Sequence, residues 1–327
     1  MMLFFYIPPQ LMPDPLPAID DFTWEGYKDG VYCWTLQTYF HLKTSGVECQ
    51  LVSSIPTSGI IIAHRGCLDE KFRPNREQLL VCMQADWSRH PYAQVHIVQN
   101  ANQQLDKYTS MLDRYFLPGK RYFVRLWPQA GIIPRNLSRA RTIKHIAYMG
   151  RSLNLADELK SKDWQTFLDS HSIKWSLVEQ PDKWADYSSI DATLSIRSFK
   201  DSRYHFKPAT KLYNSWIAGV IPICGPESAY ISEKKNKHDC LIVHSYEELK
   251  TELARIIHSQ ELEMYFKASV ERASDISNSS ITNDWKSILK KIEKDRQAWI
   301  NQTELTRISF FTIRTVGKLL RQLIKRQ

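Results

Sequence analysis

Short apolar runs alternate along most of the chain with longer stretches in which apolar residues recur at three- and four-residue spacing. The short runs, bounded by Gly, Pro and Asn, read as strands and the periodic stretches as helices; their alternation is what βα units on a parallel sheet require. A first series has strands at 2–7, 48–52, 59–64, 79–84, 94–98 and 122–126, with helices at 31–45 and about 102–115. A second has strands at 143–149, 174–178, 192–196, 220–224 and 240–243, with helices near 153–170, 210–218 and 246–258. Between them 127–136, WPQAGIIPRN, holds two prolines and a glycine without a period, and reads as a linker.

Helical stretches at 261–273 and 281–299 follow. In the second of these Trp285, Ile288, Leu289, Ile292 and Trp299 form a stripe that must be buried, and the first half is the expected surface. The pattern predicts an α/β protein of two Rossmann-like, doubly wound domains facing across a cleft. Residues 1–136 form the first, 137–280 the second, 281–304 a crossover helix returning to the first, and 305–327 a tail. There is no internal repeat or low-complexity segment.

The length agrees, since 327 residues suit two cores of about 150 residues each better than one. A charged fraction of 24% and a mean hydropathy of −0.40 exclude a polytopic membrane protein. The opening MMLFFYIPPQ lacks a basic region and is too short for a span, so it reads as a strand and the protein as cytoplasmic. Cys33, Cys49, Cys67, Cys82, Cys224 and Cys240 include no C-x-x-C pair, and read as reduced core thiols.

Net charge is +9, but Arg307, Arg314, Lys318, Arg321, Lys325 and Arg326 contribute six of it, without an acid, in 305–327, and the rest carries +3. A nucleic-acid partner is not indicated. Along the same tail Leu305, Ile308, Val316, Leu319, Leu320 and Leu323 recur at helical spacing. A basic amphipathic helix is expected, either peripheral on an anionic membrane at its inner face or with its apolar stripe packed on the first domain or a second subunit. Gly317 and the β-branched residues of 312–316 lower its helix propensity.

The segment 206–230, FKPATKLYNSWIAGVIPICGPESAY, is where the candidate chemistry concentrates. It divides into a helix start near Lys207-Pro208, a helix, a tight turn at Gly219, a buried strand, and a Gly-Pro turn before Glu227-Ser228. A helix N-terminus with Lys207 and Lys211 one turn apart is an anion site in outline. The run Lys211-Leu212-x-Asn214-x-x-x-Ala218-Gly219-Val220-x-Pro222-x-x-Gly225-Pro226-Glu227 resembles the donor-binding segment of GT-B nucleotide-sugar glycosyltransferases, with some similarity to bacterial fucosyltransferases.

The resemblance implies a transfer of a hexosyl or deoxyhexosyl group from a nucleoside diphosphate sugar to a glycan, glycolipid or lipid-linked acceptor. It implies a phosphate role for Lys211, with Lys207 possible, and a ribose or sugar contact for Glu227, with Ser228 beside it. Gly150-Arg151, closing the first strand of the second half, and Arg197, after the strand at 192–196, are further donor candidates, because ligands gather at the carboxyl ends of parallel strands. Many retaining members place two glutamates eight positions apart here; this chain has Gly219 eight before Glu227, and Asp201 is the nearest preceding acid.

A base for the acceptor hydroxyl would come from Asp86, His90 or His64, each following a strand of the first half; a capping or solvated role is the alternative for each. No Asp-x-Asp metal motif, G-x-G-x-x-G, Walker A loop or G-x-S-x-G is present, so no metal or other cofactor is expected. A nucleotide-sugar epimerase and a sugar-nucleotide-binding protein without turnover are the competing readings.

Overall fold

The computed structural model describes residues 2–21, 23–105, 110–200 and 204–324. Two compact units divide the chain: Met1–Trp127 with Ile281–Gln327, and Pro128–Ser280. The division falls at the start of the expected linker, because 128–136 is tied to the second unit. Arg135 N donates to Ala218 O at 2.9 Å, and Tyr187 N to Ile133 O at 2.9 Å.

In the first unit strands β1 (Leu3–Tyr6), β2 (Gln50–Val52), β3 (Gly59–His64), β4 (Gln78–Met83), β5 (Val95–Val98) and β6 (Lys120–Phe123) form one parallel sheet, in the order β2-β1-β3-β4-β5-β6. β3 and β4 are buried at every residue, which is why they read as continuous apolar runs. Alternate residues serve opposite faces: Ile60 and Ile62 join the cluster of Leu3 and Phe5, while Ile61 and Ala63 pack with Leu80 and Cys82. A π-helical turn, Tyr32–Leu36, leads into helix α1 (Gln37–Thr44). The helix expected over 102–115 is instead a 3-10 turn, Ala101–Gln104, and a short helix α2 (Met111–Phe116).

The second sheet holds β7 (His145–Met149), β8 (Lys174–Val178), β9 (Ala192–Ser195), β10 (Ile221–Cys224) and β11 (Leu241–Ile242), all parallel, in the order β11-β10-β9-β7-β8. Its helices are α3 (Lys162–Ser170), α4 (Thr210–Ala218), α5 (Ser228–Glu233), α6 (Tyr246–Ile257) and α7 (Glu261–Ala273). α3 starts later than the pattern suggested because Ser161 caps it, its hydroxyl accepting from Trp164 N at 3.1 Å. Both sheets reverse direction after their second strand. The switch point lies between β1 and β3 in one and between β7 and β9 in the other, where doubly wound sheets open a crevice beyond their strand ends.

Helix α8 (Asn278–Ile300) places Ile281, Trp285, Ile288, Leu289, Ile292 and Trp299 in the same core as Leu3, Phe5, Ile60 and Ile62. Helix α9 (Glu304–Ile324) follows, and corrects the expected orientation of the tail: its cationic side faces the protein. Arg314 is buried, donating to Pro91 O at 3.3 Å and to Pro118 O over the Phe310 ring; burial, aided by Arg89, lowers its pKa to about 9. Arg321 pairs with Asp113, its Nε 2.9 Å from Oδ1, and Arg307 donates to Gln302 O at 2.6 Å. Gly317 permits this docking, since a Cβ there would fall 2.5 Å from Phe116 Cβ. Phe310 and Phe311 pack on the core, while Leu305, Ile308, Val316, Leu319 and Leu323 are exposed. Lys325 and Arg326 lie outside the described residues, and no helix among those described is long and apolar enough to cross a membrane.

At the amino ends of the second sheet the buried carboxylate of Asp191 accepts from Arg135 Nη2 at 2.9 Å, Arg139 Nη2 at 3.0 Å, Lys144 N at 3.0 Å and His145 N at 2.9 Å. Removing one partner of such a network strands the others' charge, so Asp191→Asn should cost the folded state about 3–5 kcal/mol. Urea unfolding followed by tryptophan fluorescence measures this, and a loss under about 1 kcal/mol would place it among ordinary surface pairs.

Candidate functional site

At the switch point of the second sheet β7 ends in Met149 and the chain turns at Gly150, whose φ of +150° suits glycine. A side chain there would also collide with Lys211, because a Cβ would lie 2.6 Å from its Nζ. Lys211 occupies the first turn of α4, a helix whose cap residue Ala209 offers no side-chain acceptor. Its ammonium donates to Met149 O at 2.5 Å and lies 3.7 Å from the Tyr148 ring centroid. Burial lowers its pKa to about 7; Arg197 adds to the shift and Glu227 opposes it.

Arg197 follows β9 and pairs with Glu227, with its guanidinium 5.5 Å from the Tyr204 ring centroid. Glu227 stands immediately before α5 without a side-chain capping bond, is only 1% exposed, and its Oε1 has no hydrogen-bond partner. Burial raises its carboxyl pKa, against the pull of Arg197 and then Lys211. Arg197 thus carries the ion pair with this buried carboxylate, and Lys211 acts on it electrostatically without one.

Lys211 and Arg197 border a cavity of about 480 Å³, lined also by Tyr148, Gly150, Arg151 and Asn214 among others, a volume within the range of small-molecule sites. Asn214 Nδ2 donates to Gln129 Oε1 at 2.6 Å, while its buried Oδ1 has no partner. Trp184 and Tyr187 supply aromatic wall, and Trp184 is held by its Nε1 donating to Val178 O at 2.8 Å.

Lys211, Gly150, Arg151 and Arg197 therefore line one cavity, and three other donor candidates do not. Lys207 precedes α4 in a turn closed by its N donating to Tyr204 O at 3.0 Å, because the residue before a proline disfavours helix. It is not one turn from Lys211 on a common helix. Glu227 and Ser228 do not line the cavity; Glu227 reaches it only through Arg197. Asp201 lies outside the described residues. Sequence reasoning passed over Tyr148 and Trp184, which look like core residues, and Gln129, which fell in the expected linker, and used Asn214 only as part of a motif.

In the first unit His64 ends β3 at the other switch point. Gly66 N donates to its Nδ1 at 3.2 Å, so the neutral ring carries its proton on Nε2. Burial lowers its pKa to about 4, although Asp29 and Asp86 pull the other way. This tautomer donates rather than accepts. His90 is fully buried, with Tyr92 N donating to its Nδ1 at 3.2 Å and its Nε2 2.9 Å from Asp69 O. With both nitrogens engaged by backbone, it has no lone pair for an acceptor proton. Asp86 is exposed, accepts from Gln99 Nε2 at 2.5 Å, and acts electrostatically on His64.

The lowered pKa of Lys211 has a signed consequence. Between about 7 and 10.5 the unfolded chain holds a proton on this lysine that the folded chain does not. Stability from this group therefore rises with pH across that window and is lost as pH falls through about 7. Lys211→Met should flatten the rise in a pH series of urea unfolding; superimposable profiles would show the ammonium to be solvated.

No family model matches the chain, and no curated protein matches it. Among solved structures it is similar to the GtfA/B complex at 10% identity, with a TM-score of 0.49, over 79% of this chain and 60% of that one. It is also similar to a sucrose-phosphate synthase from Thermosynechococcus elongatus at 11% identity and 0.49, over 72% and 74%. An α1,3-fucosyltransferase with GDP shows 10% identity and 0.49, over 88% and 90%. The chain spans about 60% of the length of the first, and these are likenesses of fold.

Proposed function

We propose that the protein transfers a glycosyl group from a nucleoside diphosphate sugar, binding the donor in the cavity at the switch point between β7 and β9. The observation that carries the reading is Lys211: a desolvated ammonium, held against the end of β7, with a second cation in Arg197. A bound diphosphate would restore the charge of that ammonium and receive a charge-assisted hydrogen bond from it. Arg151 at the rim and the unpartnered Oδ1 of Asn214 offer further polar contacts, and the aromatic wall offers a face to the nucleoside.

In this reading Lys211 and Arg197 stabilise the charge that develops on the leaving diphosphate. Asp86 is assigned to take the proton of the acceptor hydroxyl, with the Nε2–H of His64 a donor beside it. The hydroxyl oxygen bonds to the anomeric carbon as the bond from that carbon to the diphosphate oxygen breaks. The acceptor is a glycan or a lipid-linked saccharide.

Incubation with nucleoside diphosphate sugars and acceptors tests this. Acceptor-dependent release of nucleoside diphosphate is expected; an isomerised sugar nucleotide would mean an epimerase, and binding without turnover a binding protein. Lys211→Ala should weaken nucleoside diphosphate binding by about 1.5–3 kcal/mol in calorimetry, as loss of a charge-assisted bond would, and unchanged affinity in a folded variant would remove the assignment. Asp86→Asn should lower kcat by roughly a hundredfold or more with donor affinity retained, and an unaltered kcat would move the base elsewhere.

A further inference from the structure

On one flank of α9 a second cavity, of about 270 Å³, is lined by Lys71, Arg73, Tyr92, Thr315, Lys318, Leu319 and Gln322. Its three cations have no carboxylate partner among the described residues. Arg73 Nη2 donates to Tyr92 Oη at 3.2 Å and to Thr315 Oγ1 at 3.0 Å, and Lys318 Nζ donates to Glu70 O at 3.1 Å. Their neighbours are matched differently: Arg65 takes the Glu70 carboxylate and Arg321 takes Asp113. Glu70 and Asp113 are thus committed elsewhere, Asp69 Oδ1 accepts the Lys71 backbone N–H at 2.7 Å, and the cavity's three cations are left for a ligand. Backbone and hydroxyl contacts aim the guanidinium and the Lys318 ammonium without neutralising them.

The wall of the same cavity is continuous with the exposed apolar row. Leu319 belongs to both and is 54% exposed, with Leu323 at 59%, Ile308 at 53% and Leu305 at 80%. The row runs the length of α9, about 30 Å at the rise of an α-helix, and faces away from the buried Arg307, Arg314 and Gly317. An apolar row with a cation cavity along its edge is complementary to a surface with anionic groups above a hydrocarbon layer.

We propose that this cavity binds the phosphate of an anionic lipid headgroup, and that the row Leu305, Ile308, Val316, Leu319 and Leu323 lies in the acyl boundary beside it. Attachment then depends on Lys71, Arg73 and Lys318 at one edge of the helix, while Arg307, Arg314 and Arg321 fasten the helix to its own unit. The inference stands apart from sugar transfer, since it concerns partition onto a surface and is read without any turnover.

Flotation of the full chain with vesicles of phosphatidylcholine alone, and of phosphatidylcholine mixed with phosphatidylglycerol, tests it. Binding to the anionic vesicles only is expected. Lys71→Gln, at an exposed side chain with no ion-pair partner, should weaken it about fivefold, the worth of one charge at such a surface. Leu319→Gln with Leu323→Gln should weaken it at least as much. Equal binding to both vesicles, or binding indifferent to either variant, would overturn the proposal. So would saturation of the cavity by inorganic phosphate in a chain that ignores vesicles, or a dimer in sedimentation that the leucine variant dissolves.

Discussion

The second unit depends on a single buried carboxylate. Asp191 stands one residue before β9, its backbone N donates to His145 O at 2.9 Å, and its carboxylate accepts the backbone N–H of Lys144 and His145 where β7 begins. That contact sets the register of β7 against β9, in which Ile146 faces Ala192 and Ala147 faces Thr193. The register carries through to the carboxyl ends, where it decides that Gly150 and Arg197 emerge side by side. Arg135 and Arg139 balance the charge and draw 128–139 onto the same sheet, so the chain's entry into this unit and the geometry of the cavity share one anchor.

Charge at the cavity follows a related logic with a different outcome. At Asp191 two arginines and two backbone amides satisfy the anion. At Glu227 one oxygen is left unpartnered, Arg197 takes the ion pair, and the Lys211 ammonium is bonded only to a backbone carbonyl. A satisfied network holds structure, whereas a desolvated ammonium such as that of Lys211 is a poor resting state that an anion improves. The contrast is the physical reason for assigning binding to one cluster and architecture to the other.

Most strands were legible in the sequence because parallel strands buried on both faces leave unbroken apolar runs, as in 59–64 and 78–83. α4, α6 and α7 were legible from their period. What escaped were facts set by distant partners. His90 looks like a loop base until Asp69 O and Tyr92 N occupy its ring. Asp86 and His64 are separated by strand β4 in the chain and come within electrostatic reach only when the sheet forms. Lys211 could be singled out from its motif, but its desolvation depends on Tyr148 and Met149, over sixty residues earlier. The tail shows the limit most plainly: periodicity established an amphipathic helix and could not say which face is inward. Here the protein offers carbonyls and Asp113 to the arginines, while Leu305, Leu319 and Leu323 stay exposed.

The first unit is discontinuous: residues to Trp127 supply the sheet, and 281–327 supply α8 and α9. Trp285, Ile288, Leu289 and Ile292 belong to the core of a sheet whose last strand ends at Phe123. During synthesis, then, the amino-terminal sheet leaves the ribosome with one face uncovered and waits for the entire second unit to be made before its own core can close. The second unit, contiguous from Pro128 to Ser280, can finish folding first. Order of synthesis and order of completion are inverted, and the part of the chain made first is the one most exposed to misassociation on the way.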